Sequence, residues 1–462
     1  MAFIHTIIHM TEQSPMPPGE ATLAPTNGNN QNKLLLLLVL IILGVSIAWA
    51  AATQIFVDDI GYDQSSYSLD EWLINYAGGF IRRGLAGEII WRITSAFHIR
   101  PDAQIILLSL SSLFALIFLL LLHSSKVAEA PFLLSAYVLA GPVMDGDIIR
   151  KDIIGLLSLA LCLFLLNSKK VGSLSRNRRL ALANCICTLS LLNHEAFGFF
   201  ALPIILVENF AHNHDEFPKS TKTSVALRSL AQYAPSLLTL LLVLSFRGNQ
   251  LVANQIHLSW AEHRDLFIPS VHLKETTAFL DSAIGAIGWG TDTFLEQINE
   301  TITGFSGPIW IPLAWLATAI LGFILFKHFV AEKPSARESN GRNKRYHQML
   351  VCAFQFIAAI PLFLIAKDYG RWIYLWMTST IIILTVDPEP LTRFSIGAVG
   401  RTSKRLYTFV PSVPPNLALA SLVFVGIPEC DWSITEFIEY TPIFSFVKII
   451  SILVGHPLTW HS

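Results

Sequence analysis

The sequence predicts an all-α fold, a polytopic bundle of about 11 to 12 transmembrane helices. Of its 462 residues, 53% are hydrophobic and only 14% are charged, whereas an average soluble domain carries roughly 25% charged residues. The mean hydropathy of +0.53 points to the same class. Apolar runs also recur along the chain between short polar segments. The net charge of -1 gives no bulk basic field, so we expect no nucleic-acid partner.

The first apolar run follows a polar leader rich in proline, glycine and asparagine. Residues 1–32 therefore predict a disordered cytoplasmic tail. The run from Leu34 to about Val57 is longer than the apolar region of a signal peptide, so we interpret it as a retained first span. Residues 33–462 are then predicted to form a single transmembrane helical domain.

The remaining apolar runs predict further spans, because a helix needs roughly 20 apolar residues to cross a bilayer. Several runs are short, which favours tilted or re-entrant helices for some of them. The predicted spans are 34–57, 103–122, 130–144, 153–167, 180–194, 196–211, 229–246, 309–326, 349–366, 371–386, 415–429 and 440–455.

Basic residues set the predicted orientation, since lysine and arginine concentrate in cytoplasmic loops. They are abundant after the fourth, eighth and tenth predicted spans, for example at Lys169, Arg337 and Arg405. The N-terminus is then cytoplasmic, and the long loops 58–102 and 247–308 lie on the outer face. Both loops mix tryptophan with charged residues, which predicts interfacial helices on that face.

The first charged segments lie in the loop 58–102. Asp58 and Asp59 directly follow the first predicted span, and Arg82 and Arg83 follow a pair of glycines. Arginine side chains bind phosphate oxygens in a bidentate way. Alternatively, the acids form a solvated helix end and the arginines anchor the chain at the membrane surface.

A second segment, between the third and fourth predicted spans, holds Asp145, Asp147, Arg150, Lys151 and Asp152. The two acids at D-x-D spacing are weak candidates for a divalent cation site. Arg150 and Lys151 are candidates for holding an anionic group at the start of the next helix. A salt-bridged turn is the alternative.

Two further segments place charge between apolar runs. His194 and Glu195 form a pair that is costly in a membrane unless it faces a cavity or a partner. They could work as an acid–base pair or form a polar hairpin tip. Lys367, Asp368 and Arg371 lie between the ninth and tenth predicted spans, where Arg371 either clamps a phosphate or anchors the helix at the interface.

This layout resembles the GT-C superfamily of integral-membrane glycosyltransferases, which use polyprenyl-phosphate-linked sugars. In that superfamily an acidic motif begins the first outer loop, where this chain has Asp58 and Asp59. The resemblance covers about half of the chain by layout. It implies a bacterial inner (cytoplasmic) membrane protein whose partners are a polyprenyl-phosphate-linked sugar, a glycan or lipid acceptor and the bilayer. No cofactor is expected, although a divalent metal is compatible with the chemistry.

From the charged segments and this resemblance, we predict two sets of site residues. The predicted catalytic residues are Asp58, Asp59, His194 and Glu195. The predicted ligands of the lipid phosphate are Arg82, Arg83, Arg150, Lys151, Lys367 and Arg371.

Other functions fit the same pattern. An O-antigen or capsule polymerase or ligase would place its chemistry in the loop 247–308, at His257, Glu262, His263 and Arg264. A polyprenyl-linked glycan transporter (flippase) would also handle a lipid phosphate, and a non-catalytic scaffold is a further alternative. No P-loop, dinucleotide-binding glycine motif, HExxH or GxSxG appears in a fitting context.

Overall fold

The computed structural model describes residues 28–56, 65–123, 129–144, 149–167, 174–266, 283–288, 310–331, 341–365, 368–386, 404–428 and 434–455. Within these ranges every regular element is a helix, and no strand occurs. The predicted all-α class is therefore confirmed for the described part of the chain.

The helices in the first half of the chain are α1 (Gly28–Phe56), α2 (Ser65–Trp72), α3 (Gly84–Phe97), α4 (Pro101–His123), α5 (Ala130–Leu133), α6 (Ala140–Met144), α7 (Asp152–Asn167), α8 (Arg176–Asn193), α9 (Phe197–Phe200) and α10 (Leu202–Glu216). The second half contains α11 (Lys222–Gln232), α12 (Ala234–Ser245), α13 (Gln250–Ser259), α14 (Trp310–Phe326), α15 (Gly341–Ile365), α16 (Tyr369–Val386), α17 (Pro415–Phe424), α18 (Ile434–Glu439) and α19 (Pro442–Leu453). Short 3₁₀ segments cover Ala261–Leu266 and Gly285–Gly288, and a π-helical turn covers Lys327–Ala331.

Four helical segments of the described residues are long and apolar enough to cross a membrane: Lys33–Thr53, Pro101–Leu120, Ile311–Ala331 and Arg345–Ile365. A fifth is added if the bent pair α11 and α12 forms one span. These segments expose large apolar side chains such as Leu34, Leu107 and Ile357, which water would solvate poorly. The apolar helices indicate a membrane protein.

Two predicted spans are interrupted. Within 130–144 the chain forms the short helices α5 and α6, and between them Ser135 Oγ donates to the Phe132 carbonyl at 2.7 Å. Such side-chain bonds to nearby backbone compete with a continuous helix. Within 229–246 the helix bends by 65° between α11 and α12. Pro235, in the first turn of α12, has no N–H to continue the helical bonds across this bend.

Helices α7 and α16 are central to the packing of the described helices. Helix α7 packs against α4, α8 and α16, and α16 packs against α14 and α15. Residues 369–383 of α16 are all buried, as expected for a helix that other helices surround. Both helices begin with charged residues, so their N-terminal ends carry ionic groups into the centre of the fold.

Candidate functional site

Segments from five parts of the chain meet around a group of charged and polar side chains. They are the end of α2, the turn before α3, the start of α7, the connection between α8 and α9, and the start of α16. We call this group the ion cluster. Its members are Glu71, Arg82, Arg83, Lys151, Asp152, His194, Glu195, Asp368 and Arg371.

Arg83 joins three of these segments. Its Nε lies 3.0 and 2.9 Å from the two carboxylate oxygens of Glu195, and its Nη2 lies 2.5 Å from Glu195 Oε1. Its Nη1 donates to Glu71 Oε1 at 3.0 Å. The backbone of Arg83 has φ of 65°, a left-handed conformation that costs a bulky residue about 1 kcal/mol or more. The ion pairs of the side chain hold the turn in this conformation.

Arg371 connects the two central helices. Its Nε and Nη2 donate to the two carboxylate oxygens of Asp152 at 2.5 and 3.0 Å. Its Nη1 lies 3.3 Å from Asp368 Oδ2, one turn earlier in the chain. The planar guanidinium suits this bidentate geometry, which a lysine cannot reproduce.

His194 lies between a carboxylate and a guanidinium. Its Nδ1 accepts the backbone N–H of Ala196 at 3.1 Å. Its Nε2 lies 3.1 Å from Glu71 Oε1 and 2.8 Å from Arg371 Nη2. Burial, together with the charge of Arg83, lowers the pKa of His194 below its ordinary value. Because Nδ1 accepts from Ala196, Nε2 is the ring nitrogen that faces both Glu71 Oε1 and the Arg371 guanidinium.

The buried carboxylates remain ionised. Burial acts to raise the pKa of Glu71, but His194, Arg83 and Arg371 together hold that pKa well below the usual range. For Glu195, burial is again outweighed, here by Arg83, His194 and Arg82, and the pKa is also held well below its ordinary value. Such carboxylates are weak bases, so their main effect is to fix the surrounding cations.

Lys151 is fully buried and bound to backbone. Its Nζ donates to the Arg83 carbonyl at 2.9 Å and lies 5.7 Å from the centre of the Trp72 ring. The Trp72 indole donates in turn to the Ile149 carbonyl at 2.5 Å. Burial, the largest influence, lowers the pKa of Lys151 to about 8. In this arrangement Lys151 supports the left-handed turn at Arg83.

The ion cluster is electrically balanced. Its four basic side chains are matched in number by four carboxylates. The members differ in exposure: the Arg82 side chain is 30% exposed and that of Asp368 is 27% exposed. Glu71, Asp152, His194, Glu195 and Arg371 are each 7% exposed or less. The cluster therefore has a buried interior and an accessible edge.

The segment that follows α12 packs onto the helices of the first long loop. Trp260 Nε1 donates to the Leu73 carbonyl at 2.8 Å, and Ser95 Oγ lies 2.9 Å from His263 Nε2. Ser95 lies twelve residues beyond Arg83 along α3, which corresponds to about 18 Å. His263 is therefore close to the first loop but at a distance from the ion cluster.

The structure brings together most of the predicted cations and acids that it describes. Arg82, Arg83, Lys151, His194, Glu195 and Arg371 belong to the ion cluster, and Arg150 is buried beside Lys151 in the chain. The remaining predicted site residues, Asp58, Asp59, Asp145, Asp147 and Lys367, lie outside the described residues.

Glu71 is a member that the sequence interpretation missed. It lies in the stretch 70–73 of the first long loop, where the sequence predicts an interfacial helix. The available signal was local: Glu71 is followed directly by Trp72 and Leu73, and a carboxylate in such an apolar setting needs a cationic partner when it is buried.

Within the described residues, no group of three or more histidine, cysteine, aspartate or glutamate side chains has the geometry to hold a metal ion. Comparisons with protein family models, with curated proteins and with solved structures find no match to this chain.

Proposed function

We propose that this protein is a polytopic membrane glycosyltransferase. It transfers a sugar from a polyprenyl-phosphate donor to an envelope glycan or lipid acceptor on the outer face of the bacterial inner membrane. The observation that carries the proposal is the meeting of charged segments, distant in sequence, in one buried cluster at the ends of apolar helices. Ionisable side chains in such an environment are costly, and where they persist they commonly serve function.

The position of basic residues supports the proposed orientation. Arg179 at the start of α8 lies 3.4 Å from the Leu165 and Leu166 carbonyls at the far end of α7. Helix α7 is 16 residues long, so this end is about 24 Å from the ion cluster. Lys327, after α14, donates to the Val410 carbonyl at 2.6 Å. If these basic ends, which are distant from the ion cluster, lie on the cytoplasmic side, then the cluster lies on the outer face and the N-terminus is cytoplasmic.

In the proposed reaction, a hydroxyl of the acceptor attacks C1 of the donor sugar, and polyprenyl phosphate leaves. A carboxylate takes the hydroxyl proton, a role that the resemblance to GT-C enzymes gives to Asp58 or Asp59. Arg82 is the accessible cation at the edge of the cluster and would contact the phosphate. The buried ion pairs keep Arg83 and Arg371 fixed, so the positive field is already oriented when the negative charge develops on the phosphate.

A binding measurement tests the donor part of this proposal. The full chain, in lipid nanodiscs, is titrated with a long-chain polyprenyl monophosphate and with the corresponding polyprenol. We expect the phosphate to bind at least tenfold more tightly, and Arg82→Gln to remove that preference. Arg92→Gln is the matched control, since Arg92 is 72% exposed and, within the described part of the chain, pairs with Glu88 of its own helix. Equal affinity for the phosphate and the alcohol would contradict the proposal.

A genetic measurement tests the transfer itself. The host gene is deleted and complemented with the wild-type chain, with Asp58→Asn or with Asp59→Asn, and surface glycan and membrane protein levels are measured together. Loss of one surface glycan on deletion, restored by the wild-type chain, is the expected result. An unchanged set of surface glycans after deletion would reject a role in envelope glycan synthesis.

The packing of α13 onto the first loop favours a second candidate, a polymerase or ligase acting on lipid diphosphates. The contact between His263 and Ser95 puts one candidate residue of that function beside α3. The two functions differ in product: a polymerase extends a repeat, so its loss shortens the glycan, whereas loss of the transferase removes one sugar. His263→Asn should shorten the glycan only in the polymerase case.

The bend between α11 and α12 favours a third candidate, a transporter. Broken helices with buried polar residues are common at transporter binding sites. At this bend Ser236 forms a buried hydrogen bond with Asn184, which also donates to the Gln232 carbonyl. Transport would leave the donor intact, so flipping of a fluorescent polyprenyl-phosphate lipid in proteoliposomes, without release of polyprenyl phosphate, would distinguish it.

A further inference from the structure

Two segments that are distant in sequence pack against each other beside Arg82. One precedes α3, and the other follows α12. The backbone N–H of Arg82 donates to the Phe246 carbonyl at 3.0 Å. Gly248 has a φ of 89°, which favours glycine, and an added Cβ there would lie 2.5 Å from the side chain of Ile81. The close approach of the two segments therefore depends on a glycine.

This contact brings aromatic rings of the two segments together at the surface. Phe80 lies 5.3 Å from Phe246, edge to face, and 5.7 Å from Tyr76, in a stacked arrangement, where both distances join ring centres. Phe80 and Phe246 are 41% and 47% exposed. An added Cβ at Gly84 would overlap the Tyr76 ring, so the absence of a side chain there lets this ring lie against the start of α3. The rings are therefore exposed but held in fixed positions.

The exposed apolar surface continues along α12. The Phe246 N–H donates to the Leu242 carbonyl at 2.9 Å, so Phe246 lies one helical turn beyond Leu242. Leu238 lies one turn earlier on the same face, and the two leucines are 59% and 49% exposed, respectively. We call Leu238, Leu242, Phe246 and Phe80 the apolar strip. Arg82, whose side chain is 30% exposed, lies at its end.

Charge alone would select a polyprenyl phosphate poorly in a bilayer. Bulk phospholipids also carry phosphate groups and are present in large excess, so Arg82 needs a second feature of the ligand for discrimination. Contact with a lipid chain gains little from the hydrophobic effect, because the bilayer is equally apolar. It gains from close packing, to which dispersion and aromatic contacts contribute. A methyl-branched, unsaturated chain presents a shape to fixed aromatic rings that a straight acyl chain lacks.

We propose that the apolar strip binds the isoprenoid chain of the donor and selects it over a straight alkyl chain; this rests on the proposed glycosyl transfer. The phosphate lies at Arg82, and the isoprene unit next to it packs on Phe80 and Phe246. The chain then follows Leu242 and Leu238 into the bilayer. Because the bound phosphate holds the chain beside the strip, even weak packing contacts add to the affinity.

The first test measures the affinity of the full chain, in nanodiscs of phosphatidylcholine, for three ligands. They are a long-chain polyprenyl monophosphate, the corresponding polyprenol and hexadecyl monophosphate, which has a straight chain. The wild type is compared with Phe80→Ala, Phe246→Ala and the double variant. Phe114→Ala is the matched control, because Phe114 is a 66% exposed phenylalanine on α4, another candidate span. Thermal unfolding checks that each variant is folded.

We expect the wild type to prefer the polyprenyl over the hexadecyl monophosphate by about tenfold, and each single variant to lose about threefold of that preference. The double variant should bind both phosphates equally, whereas Phe114→Ala should bind like the wild type. Equal affinity of the wild type for the two phosphates would overturn the inference. Equal losses in Phe246→Ala and Phe114→Ala would also overturn it, because both rings would then contact bulk lipid only.

A second measurement needs only the wild-type chain. A polyprenyl monophosphate with a diazirine on the isoprene unit next to the phosphate is photoactivated in the same nanodiscs, and labelled peptides are identified by mass spectrometry. We expect labels at Phe80 and Phe246 that excess polyprenyl monophosphate displaces, and no displaceable label around Phe114. Labels at Phe80 and Phe246 that resist displacement would contradict the inference.

The comparison with polyprenol separates this inference from the proposed function. If the wild type prefers polyprenyl monophosphate to polyprenol but does not distinguish it from hexadecyl monophosphate, the transferase proposal stands and the role of the apolar strip is rejected. If the wild type binds the phosphate no more tightly than the alcohol, the donor part of the proposed function fails, and the inference fails with it.

Discussion

Arg371 of α16 binds both carboxylate oxygens of Asp152 of α7, at 2.5 and 3.0 Å, across 219 residues of sequence. The pair joins the two central helices at their N-terminal ends, and both side chains are buried, with exposures of 6% and 3%. It therefore fixes the position of α16, and with it Asp368, relative to the rest of the ion cluster.

We predict that Arg371→Lys destabilises the protein by about 3 to 5 kcal/mol, because a buried pair that loses its geometry leaves poorly compensated charges. Thermal unfolding in detergent measures the change. The double variant Arg371→Met with Asp152→Leu removes both charges and should recover most of the stability, yet remain inactive. If Arg371→Lys alone were as stable as the wild type, the ion pair between Arg371 and Asp152 would not be what joins the two helices.

A second prediction concerns the approach of α3 to the end of α2. An added Cβ at Gly87 would overlap the Ile74 carbonyl oxygen. We therefore expect Gly87→Ala to displace α3, lower the unfolding temperature by several degrees and reduce activity, since Arg83 directly precedes that helix. Gly44→Ala is the matched control: Gly44 also lies in a helix, but no atom lies within 4 Å of an added Cβ. For Gly44→Ala we expect no loss in the free energy of unfolding, or a gain of about 0.5 to 1 kcal/mol. Equal effects at both positions would contradict the close packing.

The sequence predicted the helical class because apolar composition and run length decide it directly. It also indicated that Arg83, His194 and Arg371 lie close to one another, because charged residues between apolar runs are costly unless they contact polar or oppositely charged partners. The bends at Ser135 and Tyr233 were not predicted. They depend on local hydrogen bonds and on Pro235 within runs whose hydropathy is uninterrupted.

The ion pairs inside the cluster could also not be predicted from the sequence. Arg83 and Arg371 were predicted to hold a phosphate, whereas the structure pairs them with Glu195 and Asp152. Partner choice depends on which helix ends become neighbours, and no local pattern records that. For the same reason the sequence does not identify Glu71 as a member of the cluster, because its contact with Arg83 depends on the left-handed turn before α3.

A third prediction concerns the contact between the second long loop and the first. Trp260 is fully buried, and its indole N–H donates to the Leu73 carbonyl. Trp260→Phe keeps most of the apolar area but leaves that carbonyl without its donor, which costs about 1 to 3 kcal/mol. We expect limited proteolysis to cut the segment 250–266 faster in this variant, whereas the exposed Leu258→Ala should cleave like the wild type. Equal cleavage of all three proteins would show that the indole does not hold the segment.

The last prediction is a pH dependence of stability caused by Lys151. Its ordinary pKa is 10.5, and burial lowers the folded-state pKa to about 8. Between these values the unfolded chain binds more protons at this lysine than the folded chain does, so stability must rise as pH increases. The full contribution is on the order of 3 kcal/mol. We expect the contribution of Lys151 to the unfolding free energy to increase from pH 8 to 9.5.

Lys151→Met provides the control, because it removes the titrating group while keeping an apolar side chain beside Trp72. The difference in unfolding free energy between the wild type and this variant should become more favourable to the wild type as pH rises. A constant difference from pH 8 to 9.5 would mean that Lys151 keeps its ordinary pKa. In that case the charges of Glu71 and Glu195 would fully offset the effect of burial on Lys151.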